Sequence, residues 1–193
     1  MWSELLAGCP RVSLAAGDTL DVPAGTKLLI LESGLVVSTY MPRRRRFIAA
    51  IAGEGDVLPP PSDGIVLEAL RPSLVRFVDA EMCATLLCEP AAGDEIVDGL
   101  LAAVLEREES LSHFGEIVHR DRVLSKLVQL ARKFGRVTPE GVRLDLPLTH
   151  QLLADSVAAA RETVSIALGE LQRTGAVERI GRVYVLKRSQ LDL

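Results

Sequence analysis

The spacing of hydrophobic positions changes twice along this chain. Over residues 12–78 the apolar residues come in short runs, VSLAAGD, LDVPAGT, KLLILESG, LVVSTYM, FIAAIAGEGD, IVLEAL and LVRFV, broken by Gly, Pro or Asp. Runs of that length between turn signals predict about seven or eight short strands, hence a small barrel or roll. Gly17, Gly25 and Gly34 fall at predicted turns, where a positive φ costs glycine nothing. From Glu81 onward the period is helical. A short helical piece is expected over 82–87 and a break over 90–93. One helix then runs over 94–118, about 37 Å long at 1.5 Å per residue. Within it Leu100, Val104, Arg107, Leu111, Phe114 and Val118 follow a 4, 3, 4, 3, 4 spacing. That is a heptad seam with one polar interruption, the pattern of a two-chain coiled coil. Leu101, Leu105 and Ile117 flank the seam and are expected to pack back on the roll. A long helix that only packs on its own roll is the plainer alternative.

A third texture begins at His119. HRDRVLSKLVQLARKF predicts an amphipathic helix over 119–134 with Val123, Leu127 and Leu130 inward and Gly135 as its stop. RVTPEGVRLDLPL predicts two short strands about a Pro139-Glu140-Gly141 turn. Over 148–173 the apolar positions describe two short helices joined by a tight turn. Leu152, Leu153 and Val157 form one face, and Val164, Leu168 and Leu171 recur at i, i+4 and i+7 on the other. When those faces bury each other, Arg161, Glu162, Ser165, Ile166 and Gly169 remain outward. Thr149 is placed to cap the first helix, and Thr174-Gly175 stops the second. AVERIGRVYVL predicts a two-stranded wing around Gly181, with Arg179 and Arg182 near its tip for phosphate contact. Long polar side chains at the start of a helix suit a DNA major groove, because an arginine fork bonds both guanine acceptors and a glutamate accepts from cytosine N4.

At RETVS, residues 161–165, the chain resembles the helix-turn-helix of the cyclic AMP receptor protein and fumarate-nitrate regulator (Crp/Fnr) superfamily of bacterial transcription factors. The resemblance implies base reading by Arg161 and Glu162, with Ser165 and Ile166 on the same face, and phosphate contact by Thr149 and Gln151. Two departures stand out. Ile166 occupies a position where the family commonly has a third base-reading arginine, and Ala158 and Ala160 replace the Gly and Ser often found around the turn. GDTLDVPAG and LLILESGLVV resemble early strands of the family's sensor roll, and in the family the long helix forms the dimer axis, here Leu100, Val104, Arg107, Leu111, Phe114 and Val118. The expected fold is therefore α+β: a cyclic-nucleotide-binding-like β-roll with a short helix over 1–93, a dimerisation helix over 94–118 and a winged helix-turn-helix over 119–193. The family's phosphate cassette needs a Gly-Glu pair and an arginine. Here Pro59, Pro60 and Pro61 offer no amide donors, Asp63 adds negative charge and Gly64 is followed by Ile65. Arg71 and Arg76 lack the surrounding pattern, so independence from cyclic AMP is expected.

Charge sharpens the division. Residues 1–118 hold 9 Lys+Arg against 18 Asp+Glu, a balance of −9, whereas 119–193 hold 13 against 8, or +5. The basic share falls where the helix-turn-helix falls, the footprint of a module that neutralises phosphates. Arg43, Arg44, Arg45 and Arg46 form a separate run, read either as a solvated loop or as a contact for an anionic ligand, DNA or RNA polymerase. Cys9, Cys83 and Cys88 lack CxxC spacing and are one short of the four ligands of an iron-sulfur cluster. Nothing separates Cys83 or His113 from ordinary residues as haem ligands, and none of the three histidines has an obvious partner. No nucleophile elbow, P-loop or HExxH occurs, so no enzyme activity, metal or cofactor is expected. Without a signal peptide or membrane span, a cytoplasmic location is expected. The expected partners are double-stranded DNA, a second copy of the chain and RNA polymerase, with no membrane. The competing reading is a ligand-sensing or protein-interaction module whose winged helix does not read DNA.

Overall fold

The computed structural model describes residues 5–41 and 45–191. Arg43 and Arg44 of the arginine run, and the Phe114 side chain of the seam, lie outside the described residues. The chain divides into two compact units, Met1–Glu108 and Glu109–Leu193.

In the first unit β1 (Arg11–Leu14), β2 (Leu28–Tyr40), β3 (Phe47–Gly53), β4 (Val57–Leu58) and β5 (Ile65–Val78) form one antiparallel sheet in the order β1-β5-β2-β3, with β4 on β2. Side chains alternate across a strand, and here both faces are buried. Leu29 and Leu31 join Leu14, Val75 and Phe77 in one core, while Leu28 and Ile30 join Leu6, Val78, Leu86 and Ile96 in the other. Arg76, on the second face, is buried and paired with Glu32 at 2.6 Å. It also donates to the carbonyl oxygens of Leu6 and Cys9, so it ties the early chain to the sheet and is not free for a phosphate.

The described residues hold five strands in this sheet where seven or eight were expected, because two turn signals lie inside long strands. β2 and β5 run for 13 and 14 residues and pass Gly34 and Pro72 as bulges, with register shifts between Leu31 and Val36. Ser73 bridges the irregularity, its Oγ accepting from Leu35 N at 3.0 Å and donating to Arg71 O at 2.7 Å. Gly34 has φ 98°, and a Cβ there would lie 2.2 Å from Ser73 Oγ and 2.5 Å from Pro72 O. Gly34→Ala is expected to lower unfolding free energy by about 2 to 4 kcal/mol, through strain and clash together. Urea unfolding followed by circular dichroism checks this, and a loss under about 0.5 kcal/mol would contradict it.

Helix α1 (Ala80–Cys88) begins on Asp79, whose carboxylate accepts from Met82 N at 2.9 Å. Helix α2 runs from Pro90 to Ser112. The expected break over 90–93 is absent because Pro90 takes the first helical position, where a missing N–H costs nothing. The helix also stops before Val118. A 3₁₀ turn, His113–Gly115, follows Ser112, and Val118 becomes the N-cap of the next helix. Positions 114 and 118 therefore do not continue the seam on one α-helix.

The expected split between seam and roll is also altered. Leu100 is half-buried against the core of the first unit, while Leu101 and Leu105, expected to pack there, are each 53% exposed. Ala92, Ile96 and Ala103 are buried, and a Cβ on Gly99 would come within 3.0 Å of the Val57 Cβ. Small residues on this ridge let α2 approach the sheet closely and set its rotation. The opposite side presents Val97, Leu101, Val104 and Leu105 at i, i+4, i+7 and i+8, with Leu111 exposed further along the helix. Arg107 is half-buried, and Glu106 accepts from Ile51 N at 3.1 Å.

The second unit contains α3 (His119–Phe134), β6 (Gly135–Thr138), β7 (Gly141–Leu144), α4 (His150–Val157), α5 (Arg161–Arg173), β8 (Val177–Ile180) and β9 (Val183–Leu186). Its sheet order is β6-β7-β9-β8. The expected inward residues Val123, Leu127, Leu130, Leu153, Val157, Val164, Leu168 and Leu171 are all buried. Gly135 does end α3, but with φ −75°, outside the left-handed region. Close approach explains it: a Cβ there would lie 2.2 Å from Ala131 O and 2.4 Å from Val142 Cγ1. Lys126 is fully buried, with Nζ 2.6 Å from Gln129 Oε1 and 3.1 Å from Ser110 Oγ. Burial and the Lys126 charge lower the pKa of the buried His113 nearby. Among the described residues no helix is long and apolar enough to cross a membrane.

Candidate nucleic-acid interface

α4 is capped by Thr149, whose Oγ1 accepts from Leu152 N at 3.0 Å. It ends at Ala158, whose φ of 51° and ψ of 38° make it the one non-glycine residue with positive φ among the described residues. A left-handed alanine costs about 1 to 2 kcal/mol. α5 then starts on Ala160, which has no side chain to cap it, an omission worth about 1 kcal/mol relative to serine. The turn keeps its shape without Gly and Ser because Leu153, Val157, Val164 and Leu168, all at most 2% exposed, hold the two helices together.

That packing leaves a definite outward face on α5. Arg161 and Glu162 are exposed in its first turn, and Ile166, one turn on, is 66% exposed. Neither Arg161 nor Glu162 is in a salt bridge among the described residues. Gln151 is exposed on α4 and donates from Nε2 to Asp155 Oδ1 at 2.7 Å, which holds its side chain along the helix. On the wing, Arg179 stacks over Tyr184 at 5.7 Å from the ring centroid and donates from Nε to Gly181 O at 3.2 Å. Arg182 follows Gly181, whose φ is 63°, at the exposed tip between β8 and β9.

Ser165 differs from its neighbours. Its hydroxyl donates to Arg161 O at 2.9 Å and lies 2.8 Å from His150 Nδ1, so it links α5 to the first residue of α4. The hydroxyl proton is therefore already committed inside the module.

Residues 121–192 match the family model of the Crp-like helix-turn-helix domain. A CRP-like cAMP-activated global transcriptional regulator from Mycobacterium tuberculosis is 28% identical over 178 residues, 86% of this chain and 78% of that protein. The chain carries a Crp-like helix-turn-helix domain. A global nitrogen regulator from Synechococcus elongatus is 32% identical over 110 residues, which is 55% of this chain and 48% of that protein. The chain thus spans about half the length of that relative, and less of other curated relatives it matches. The fold agrees with two solved structures. A CooA variant from Carboxydothermus hydrogenoformans gives a TM-score of 0.83 at 22% identity, over 98% of this chain and 89% of that one. FixK2 from Bradyrhizobium japonicum gives 0.77 at 22%, over 95% and 96%.

Within this domain, one residue of the outward face is not evident from sequence. His150 follows the cap residue and looked unpartnered, yet it bonds Ser165 fifteen positions on. The only signal for it was the i+1 position after an N-cap, which places a side chain beside the neighbouring helix without naming its partner. The described residues contain no group of three or more His, Cys, Asp or Glu side chains able to hold a metal ion.

Proposed function

We propose that the chain is a homodimeric, sequence-specific transcription regulator that reads a two-fold symmetric operator without requiring cyclic AMP. The observation that carries this reading is the unpaired, exposed Arg161-Glu162 pair at the start of a helix whose opposite face is buried. Arg161 reads guanine through O6 and N7, and Glu162 accepts from a neighbouring cytosine. Ile166 supplies only apolar contact, so the base pair beneath it is degenerate or favours the thymine methyl group. Ser165 contributes packing more than readout, since its proton is used within the module. Thr149, Gln151, Arg179 and Arg182 hold phosphate and set the register. The dimer forms along α2 through Val97, Leu101, Val104 and Leu111, with Leu105 beside them. In this arrangement Leu100 and Arg107 support the helix from the roll side. RNA polymerase is the further protein partner, and the compartment is the cytoplasm.

Cyclic AMP independence rests on the cassette region, where Pro59, Pro60 and Pro61 replace amide donors and Arg76 is committed to Glu32. Calorimetric titration with cyclic AMP is expected to give no binding in the micromolar range and no change in operator affinity. Micromolar binding with a matching gain in affinity would overturn that part of the reading. Sequence-specific binding itself is tested by selecting bound duplexes from a random DNA pool.

A further inference from the structure

We propose that His150 couples DNA binding to proton uptake: it meets a DNA phosphate through Nε2 only as an imidazolium, so operator affinity falls as pH rises. This rests on the DNA-reading function proposed above, and concerns how that same face is regulated.

One hydrogen atom decides the tautomer. Ser165 Oγ has a single proton and gives it to Arg161 O at 2.9 Å. The 2.8 Å contact between Ser165 Oγ and His150 Nδ1 must then be donated by the imidazole, which fixes the neutral ring as its Nδ1–H tautomer. Nε2 is left with a lone pair. It has no hydrogen-bond partner among the described residues and is not a buried unpaired atom, so it meets solvent. A phosphate oxygen is only an acceptor, and an outward lone pair repels it. Contact therefore needs a proton on Nε2.

The surroundings make that proton scarce in the free protein and stable in the complex. Burial, then Arg179 from the wing, then Arg161 from α5, lower the His150 pKa below its ordinary value. The charged groups acting on it are thus both cationic and both belong to the proposed DNA face. On α4 itself Asp155 accepts from Gln151, and Arg122 of α3 donates to Val157 O at the far end of the helix. When phosphates approach, the two guanidinium charges are compensated and an anion faces Nε2, so the bound-state pKa rises. The gain in affinity is complete below the free-state pKa and disappears as pH rises through the bound-state pKa, at up to about tenfold per pH unit per half-site.

The test uses the full chain and a duplex recovered from the random pool, titrated by calorimetry near pH 6.5 in two buffers of different ionisation enthalpy. Wild type is expected to take up protons on binding, seen as a buffer-dependent enthalpy. His150→Gln is expected to abolish that uptake and flatten the pH profile. His150→Arg is expected to bind tightly at every pH without uptake. Ser165→Ala frees the ring to place its proton on Nε2 and donate while neutral. It should therefore weaken the pH dependence while keeping affinity at high pH, an outcome a purely structural role would not give. Equal proton uptake by wild type and His150→Gln, or none by wild type, would overturn the proposal while leaving DNA reading intact. If no duplex is enriched at any pH, the DNA reading falls, and the proton coupling falls with it.

Discussion

Replacing Leu101 and Val104 together by aspartate is expected to convert a dimer into monomers and to lower operator affinity by about 10²- to 10⁴-fold. Both side chains are half-exposed in the protomer, 53% and 48%, so the charges cost the isolated fold little. In a dimer along α2, four carboxylates would be buried against one another without partners, which is strongly unfavourable. The affinity that disappears is that of linkage. In the proposed dimer, two copies of α5 held one DNA turn apart would bind their half-sites together, whereas a free monomer would engage a single half-site. Sedimentation velocity and fluorescence anisotropy check the two effects separately. A variant that stays dimeric would place the interface elsewhere on the chain. Leu100→Asp is the useful contrast, because Leu100 packs on the core with Ile96 and Val57 and its loss should unfold the first unit.

The second large effect concerns the division between reading and holding. Arg161→Ala is expected to cost about 1 to 3 kcal/mol of discrimination at one base pair in each half-site, leaving other positions unchanged. Arg182→Ala, at the exposed wing tip, is expected to weaken all sequences alike. For each phosphate that the wing no longer neutralises, the slope of log affinity against log salt should also become shallower by about 0.9. Binding measured across single-base variants of the selected operator, at several salt concentrations, separates the two signatures. Equal losses on every sequence for Arg161→Ala would mean that this side chain holds phosphate and does not read a base.

The C-terminal unit was largely legible because its signals are local. Three-residue and four-residue spacings fixed the buried faces of α3, α4 and α5, and the turn chemistry at Gly141 and Gly181 fixed both hairpins. The roll was less legible. Gly34 and Pro72 punctuate sequence as turns do, but Ser73 bridges them across strands, a long-range contact that a linear reading does not contain. The rotation of α2 differs from expectation for a related reason. A heptad pattern weights large apolar residues, and it assigned Leu100 to the seam while sending Leu101 and Leu105 to the roll. The close contact is made instead by Ala92, Gly99 and Ala103, whose smallness was the signal. On the outward face of α5, the exposure of Arg161 and Glu162 was legible from their place at a helix start. The His150–Ser165 bond was not, because it depends on how two helices approach through a turn in which Ala158 adopts a conformation that sequence would assign to glycine.

If the outward face of α5 reads DNA sequence as one half of a two-fold assembly, selection of bound duplexes from a random pool by the full chain tests it most directly. The expected result is an inverted repeat with half-site centres about 34 to 36 Å apart, one turn of the helix, with each half-site carrying a guanine that Arg161→Ala releases. Recovery of no sequence above the background of the starting pool would contradict it.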